Sequence, residues 1–327
     1  MSNMMQRALT YDDVLLEPKA SRVASRTVVN TQSSLTPTVD IDVPLVSAPM
    51  DSVTGREMAQ SLADAGGIGI LHRAAEMDEV VGHLESIEGL VGASVGISRF
   101  AQTKAEKYEQ HGADVIVVDV AHGHLDNAVY RVGVVSDSVD VPVIAGNVAT
   151  YDGAKSLAQA GADGIKVGVG PGSACTTRLK TGVGVPQFSA IQNVANVKKN
   201  HDVTIIADGG IREPGDAVKA IAAGADSVML GGEFAKCAES PADGSIWGMA
   251  SAKGKETHGA QGYVEGISSH PRETTTTVDE VVGKYIEGIQ SGCSYCNALS
   301  VRQLHENATF NVVTPAAYAR NGGFADD

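Results

Sequence analysis

One of the four cysteines in this 327-residue chain stands where a nucleophile would be built. Cys175 lies in "GVGPGSACTTRLKTGVGVPQ", residues 168–187, among five glycines and two prolines, with two threonines and Arg178 directly after it. Glycine lets backbone amides and carbonyls close around a ligand. A thiol near Arg178 and aligned backbone dipoles can be held as a reactive thiolate. The bland alternative is a small buried hydrophobe. Cys293 and Cys296 form a C-x-x-C, with no second pair or nearby histidine cluster to make a metal or redox site of it. His122 and His124, in "DVAHGHL", have no matching carboxylate pattern and read as ligand-binding or loop residues.

A second chemistry is anion binding. Gly209 and Gly210 end "ADGG", and Gly231 and Gly232 end "LGG". Adjacent amides freed by glycine make a nest for phosphate. Asp208 stands beside the first pair. It repels a phosphate but accepts hydrogen bonds from sugar hydroxyls, so nest and carboxylate together suggest a nucleotide or sugar phosphate.

These residues need a scaffold that gathers them. Eight short apolar runs recur: "PLVSAPMD" (44–51), "GGIGILHR" (66–73), "LVGASVGIS" (90–98), "ADVIVVDVAHG" (113–123), "VPVIAGNV" (141–148), "ADGIKVGVGPG" (162–172), "VTIIADGG" (203–210) and "ADSVMLGG" (225–232). Each reads as a strand buried on both faces. Mixed-polarity helical stretches separate them. In "TGREMAQSLADAGG", Thr54 and Glu57 have capping-box spacing. Three helices stop at the same Gly-Ala-Asp, before the fourth, sixth and eighth runs. Alternation of this kind predicts an α/β chain folded as a (β/α)8 TIM barrel, with a doubly wound open sheet as the runner-up. Asp51, His72, Arg73, Ser98, Asp119, His122, Asn147, Ser173, Asp208 and Glu233 all follow apolar runs. A barrel collects those positions on its C-terminal face, where catalysis belongs, and commonly binds phosphate after strands seven and eight. After the eighth run, residues 251–278 are polar and Gly-rich, as expected of a mobile flap over that face. A last helix, "VDEVVGKYIEGIQSG", and a short tail follow.

Composition narrows the partners. Aromatics are 4% of residues and the formal net charge is -14. With no basic block, a nucleic-acid surface is not expected. The acidity reads as a solubility feature of the host, such as a salty cytoplasm, or as a preference for cationic partners. No apolar run is long enough for a membrane span or signal peptide. The expectation is a soluble, cytoplasmic protein.

The cysteine loop resembles the catalytic loop of the IMP dehydrogenase and GMP reductase family. The likeness extends through "LTYDDVLLEPKAS" (9–21), "SAPMDSVT", "GGIGILHR", "AGNVAT", "ADGGI", "MLGG" and "WGMAS" (247–251), and so over nearly the whole chain. The resemblance implies one barrel domain over residues 1–327, a homotetramer or larger homo-oligomer, and a purine nucleoside monophosphate as substrate. On that likeness Cys175 attacks C2 of the purine, while Thr177 and Glu265 form a proton-transfer pair. Asp208 binds ribose, and Ser173, Gly209, Gly210, Gly231 and Gly232 bind phosphate. Met249 lies beside the base, and Met50, Ser251 and Gly266 join the substrate site. Asp119 and Asn147 fall on the nicotinamide-cofactor side. Arg73 stands where the reductase often has a lysine near the cofactor phosphates. A monovalent cation such as K+ would sit on the backbone carbonyls of Gly170, Gly172 and Cys175.

The resemblance leaves two enzymes. The reductase branch converts GMP to IMP and ammonia with NADPH in purine salvage; the dehydrogenase branch oxidises IMP to XMP with NAD. Both pass through a thioimidate on the cysteine. Only "AAEMDEVVGHLESIEG" lies between strands two and three, where the dehydrogenase typically carries paired CBS modules. The stretch 252–262, "AKGKETHGAQG", has no arginine for the dehydrogenase's water-activating Arg-Tyr pair. Both features favour the reductase. In "GYVEG" (262–266), Gly262 and Val264 replace the Arg and Ser of the reductase pattern "RASEG", while "SGCSYCNALS" and "VSAPMDSVT" lean to the dehydrogenase. These departures also motivate a third expectation, an inactive nucleotide-binding regulator.

Overall fold

The computed structural model describes residues 7–172, 175–242, 244–248, 251–257, 264, 266, 276–314 and 317. Every apolar run contains a strand: β1 Leu45–Ser47, β2 Ile68–Leu71, β3 Val91–Val95, β4 Val115–Asp119, β5 Val143–Val148, β6 Gly164–Val167, β7 Thr204–Asp208 and β8 Ser227–Leu230. All are parallel, and β8 pairs back onto β1 with Met229 opposite Val46. The sheet is therefore a closed (β/α)8 barrel, and the doubly wound alternative is excluded.

The helices packed around it are α1 Arg56–Asp64, α2 Met77–Ser86, α3 Ala101–Gln110, α4 Asp126–Ser136 and α5 Tyr151–Gln159. The β6–β7 connection holds two, α6 Thr177–Thr181 and α7 Gln187–Val194; then come α8 Pro214–Ala222, α9 Ala252–Thr257, α10 Val278–Tyr295 and α11 Val301–Asn307. The last predicted helix is thus α10, the eighth helix of the outer ring, opened by a Thr277–Glu280 capping box. Within the region expected as a flap, residues 252–257 form the helical turn α9.

Strand alternation divides the core in two. Ile70, Val115, Val117, Ile144, Ile206 and Met229 fill the barrel interior. Their neighbours on the same strands, such as Leu71, Ile116, Val118 and Ile205, face the helices. Each fully buried aliphatic side chain contributes about 1.5–3 kcal/mol. A hairpin ahead of the barrel, Ser33–Thr36 with Val39–Ile41, plugs its N-terminal end with Leu35 and Ile41. The tail is not merely a tail: Phe310–Val312 pairs antiparallel with Val14–Leu16.

The Gly-Ala-Asp echo has a structural cause. Gly112, Gly161 and Gly224 end their helices at φ +100°, +98° and +119°, where a side chain would be strained. Each following aspartate then reaches back to the preceding strand. Asp114 accepts Val91 N–H, Asp163 accepts Val143 N–H and Asp226 accepts Ile205 N–H, at 2.8, 2.8 and 2.7 Å. The aspartates' own N–H groups return bonds to the carbonyls of Val91, Val143 and Ile205. The repeat is a lock on the register of β3–β4, β5–β6 and β7–β8.

Thr54 departs from expectation. The N-cap of α1 is Gly55, and no side chain caps it. Thr54 is fully buried and donates its hydroxyl to Ala48 O at 2.6 Å, tying the helix entry to the end of β1. Among the described residues, no helix is long and apolar enough to cross a membrane.

Candidate active site

At the floor of the C-terminal face lies a residue that the sequence reading did not single out. On β6, Ile165 and Val167 face the helices, so alternation turns Lys166 inward. Its ammonium is 2.8 Å from Asp119 Oδ1 on β4 and 2.7 Å from Asp208 Oδ2 on β7, with its side chain 3% exposed. It also donates to Asn147 Oδ1 on β5. Burial alone lowers the lysine pKa; the two carboxylates and their hydrogen bonds outweigh it, and the pKa ends above its ordinary value. Asn147 Nδ2 donates to Asp208 Oδ2 at 2.9 Å and to Gly168 O at 2.8 Å. Asp119, Asn147 and Asp208, chosen from sequence as separate ligand contacts, are one network. The available signal was a lysine inside a strand buried on both faces, which must be paired.

Above this floor runs the cysteine loop. Gly168 has φ +153°, and a Cβ there would lie 2.1 Å from Asp208 O, so only glycine lets the loop leave β6 against β7. Gln187, 2% exposed, donates to Val167 O at 2.7 Å and Asp208 O at 3.1 Å, closing the loop's far end onto the same strands. Cys175 is half-buried, and its thiol donates to Thr177 Oγ1 at 3.3 Å. Arg178 does not partner the thiol as expected. Its Nε donates to Gly170 O at 2.9 Å, so the guanidinium holds the loop's shape. Of the three carbonyls expected to hold a monovalent cation, Gly170 O accepts from Arg178 and Gly172 O accepts Cys175 N–H at 3.1 Å.

One pair of phosphate candidates, Gly209 and Gly210, lies against the loop. Gly209 and Gly210 have φ +97° and +80°, and a Cβ on Gly209 would sit 3.1 Å from Pro171 and 3.2 Å from Gly172 N. The nest and the cysteine loop therefore touch. Met50, at the end of β1, places Sδ 3.5 Å from a Cβ position on Gly231 after β8. Gly232 immediately follows. From the flap region, Gly266 pairs with Cys175 in an isolated antiparallel bridge. Gly266 also packs on Ser251, which is fully buried and whose Oγ accepts Gly254 N–H at 3.0 Å to cap α9. Ser173, Met249, Glu265 and Gly262 lie outside the described residues; Glu265 is the chain neighbour of Gly266.

Sequence reasoning gave residues 9–21 a place in the family likeness but no role at the site. Tyr11 is buried against Gly210, Asp12 forms a two-oxygen contact with Arg212 at 2.7 and 2.8 Å, and Lys219 donates to Tyr11 O at 3.0 Å. These contacts brace the β7–α8 loop that carries the nest. Burial, then the Asp216 and Asp208 charges, push the Tyr11 phenol well above its ordinary pKa, so it stays protonated.

The other cysteines are inert by position. Cys237, Cys293 and Cys296 are buried. Burial pushes Cys237 and Cys293 up to about 12 and raises Cys296. No cluster of three or more His, Cys, Asp or Glu suited to a metal occurs among the described residues.

A family model described as the IMP dehydrogenase/GMP reductase domain matches residues 8–322. The chain belongs to this family. Family relatives include an inosine-5′-monophosphate dehydrogenase of Cryptosporidium parvum, 33% identical over 94% of this chain and 92% of its own. A GMP reductase of Leishmania donovani is 28% identical over 97% of each chain. Among solved structures, a GMP reductase variant of Trypanosoma brucei in complex with guanosine 5′-monophosphate matches with a TM-score of 0.90 and 28% identity, covering 100% of this chain and 99% of that one. The family members are oxidoreductases of purine nucleotides, which is the chemistry that a thiol beside a phosphate nest and a carboxylate floor would serve.

Proposed function

We propose that this protein is a GMP reductase, which converts GMP to IMP and ammonia with NADPH through a covalent bond to Cys175. The observation that carries the reading is the Cys175–Thr177 contact of 3.3 Å on a loop packed against the Gly209–Gly210 nest. The Trypanosoma relative was crystallised with GMP. The chain also has no arginine in 252–262 to activate water.

In this mechanism the nest holds the 5′-phosphate and Asp208 accepts from the ribose hydroxyls, which sets the purine over the loop. The Cys175 thiol gives up its proton toward Thr177 and forms a bond from sulfur to C2. The 2-amino group takes a proton and leaves as ammonia, with Thr177 and the carboxyl of Glu265 passing protons at that position. A thioimidate on Cys175 remains. A bound nicotinamide cofactor would supply the hydride for C2. Breaking the C–S bond returns the electron pair to sulfur and releases IMP.

This chain offers the cofactor a suitable berth. A cavity of about 390 Å³ at the far, N-terminal end has no part in it; the relevant one, about 320 Å³, opens at the C-terminal ends of β2–β4 and is lined by Arg73, Gly96, Ser98, Lys104 and Val120. Arg73 lines it, and its Nε is buried with no hydrogen-bond partner among the described residues. Val120, in its lining, is the chain neighbour of Asp119.

The second reading is an IMP dehydrogenase, favoured by the Cryptosporidium relative and by Gly262 and Val264. Chain length does not choose between them. The Leishmania reductase aligns over 480 positions and the Cryptosporidium dehydrogenase over 377, against 327 residues here. The test is to mix purified protein with GMP and NADPH, then with IMP and NAD, and follow the absorbance of the reduced cofactor. Consumption of NADPH with IMP formed is expected. XMP formation in the second mixture alone would assign the dehydrogenase, and nucleotide binding without turnover in either would assign a regulator. We further propose that the enzyme is a homo-oligomer, to be checked by light scattering.

A further inference from the structure

The Lys166 ammonium has three donors and three acceptors: Asp119 Oδ1, Asp208 Oδ2 and Asn147 Oδ1. It is saturated, so it has no proton to offer a ligand. Asp208 is different. Its Oδ2 takes both Lys166 and Asn147, while Oδ1 has no partner among the described residues and the side chain is 20% exposed. One oxygen is clamped from below and the other is presented to the rim. Space for the clamp is made on β5, where a Cβ at Gly146 would fall 2.6 Å from Lys166 Cβ. Two carboxylates on one ammonium leave the cluster with one net negative charge, and holding that charge buried requires good geometry.

We propose that Lys166 is the positioning residue through which this protein recognises the ribose hydroxyls of its nucleotide. It does not touch the nucleotide. It fixes the rotamer of Asp208 so that Oδ1 meets the sugar. A carboxylate left to swing would lose the directional part of a charge-assisted hydrogen bond, worth about tenfold to a hundredfold in affinity. The inference rests on the reading of Asp208 as the ribose acceptor, and its test separates the two.

The probes are GMP and 2′,3′-dideoxyguanosine 5′-monophosphate, which keeps the base and the phosphate, each titrated calorimetrically into the full chain. Asp208→Asn is expected to weaken GMP about tenfold to a hundredfold and the dideoxy analogue by less than about threefold. If Asp208→Asn weakens both alike, the ribose reading of Asp208 fails. With Asp208→Asn behaving as expected, Lys166→Met should reproduce its pattern, and the double variant Lys166→Met/Asp208→Asn should lose no more than Asp208→Asn alone. Lys166→Arg, which keeps the charge, should recover part of the GMP affinity.

Lys166→Met leaves two buried carboxylates without a cation, and its folding is at risk. Lys166→Met/Asp119→Asn restores the cluster's net charge, keeps Asp208 and still lacks the ammonium; it should lose discrimination between the two nucleotides as well. The inference is overturned if a folded Lys166 variant lowers affinity for both nucleotides in equal proportion. It is equally overturned if the losses of Lys166→Met and Asp208→Asn multiply in the double variant.

Discussion

Asp114 and Asp119 stand at opposite ends of β4, and their carboxylates have different partners. At the N-terminal end, Asp114 accepts the backbone N–H of Val91 on the neighbouring strand, and Asp163 and Asp226 do the same with Val143 and Ile205. At the C-terminal end, Asp119 and Asp208 share the side-chain ammonium of Lys166. A carboxylate tied to backbone belongs to the fold and leaves little for a ligand. Asp226 is also held by Lys198, through both oxygens at 2.8 and 3.0 Å, whereas Asp208 takes its partners on Oδ2 and keeps Oδ1 for the rim. The same residue type therefore registers strands at one face and builds a site at the other, as the division of labour in such barrels requires. Substitutions at the two faces should consequently separate into losses of function and losses of stability.

The largest expected effect is pure loss of function. Cys175→Ala should lower kcat by about 10⁴-fold or more, because no other group can form the covalent bond to C2. GMP binding and the denaturation midpoint should stay near those of the unsubstituted protein. Turnover that survives in Cys175→Ala would refute the covalent mechanism. Gly168→Ala should break the separation between the faces. Its φ of +153° and the 2.1 Å approach of a Cβ to Asp208 O put both backbone strain and overlap at the rim. A loss of about 2–5 kcal/mol in stability is expected together with lost activity, read by urea denaturation and by assay of the folded fraction. Unchanged stability would show that β6 and β7 tolerate a wider gap than this geometry allows.

At the other face the expected effect is smaller and confined to stability. Asp163→Ala leaves Val143 N–H without its side-chain acceptor and should cost about 1–3 kcal/mol. Turnover below the unfolding transition should not change; a fall in kcat with no change in stability would contradict the division.

The strands were legible because residues buried on both faces of a parallel sheet are necessarily apolar, and the closing glycine-aspartate repeats were visible as text. What the repeats do was not legible, since the amide that Asp114 accepts from belongs to Val91, on another strand. Lys166 was hidden for the same reason. In "ADGIKVGVGPG" it is the one basic residue, and its partners Asp119 and Asp208 lie on two other strands. Thr54 carried the local signature of a cap, but a buried carbonyl at Ala48 outcompeted the helix for its hydroxyl. Arg178 was placed near the thiol by chain proximity; the positive φ of Gly170 turns that carbonyl toward the guanidinium instead. Strand positions and their burial could be read; partners on other strands and contacts set by loop backbone could not.

The finest test concerns the sign of a pH effect at Asp114. Burial raises its pKa above the ordinary value of 3.8, and the backbone hydrogen bonds from Val91 and from its own amide only partly oppose this. The folded state therefore holds the proton more tightly than the unfolded chain. Between the unfolded and folded pKa values the folded state binds more protons, so this residue's contribution to stability falls as pH rises through that window. Above it, the ionised carboxylate remains a fixed cost. Asn at this position keeps an acceptor for Val91 N–H and has no charge to bury. Asp114→Asn should thus change stability by less than about 1 kcal/mol at neutral pH, against about 1–3 kcal/mol lost in Asp114→Ala. Urea denaturation from about pH 4 to about pH 8 should show Asp114→Asn gaining on the unsubstituted protein as pH rises. If the variant instead falls behind with rising pH, the carboxylate is worth more charged than neutral, and burial does not dominate at Asp114.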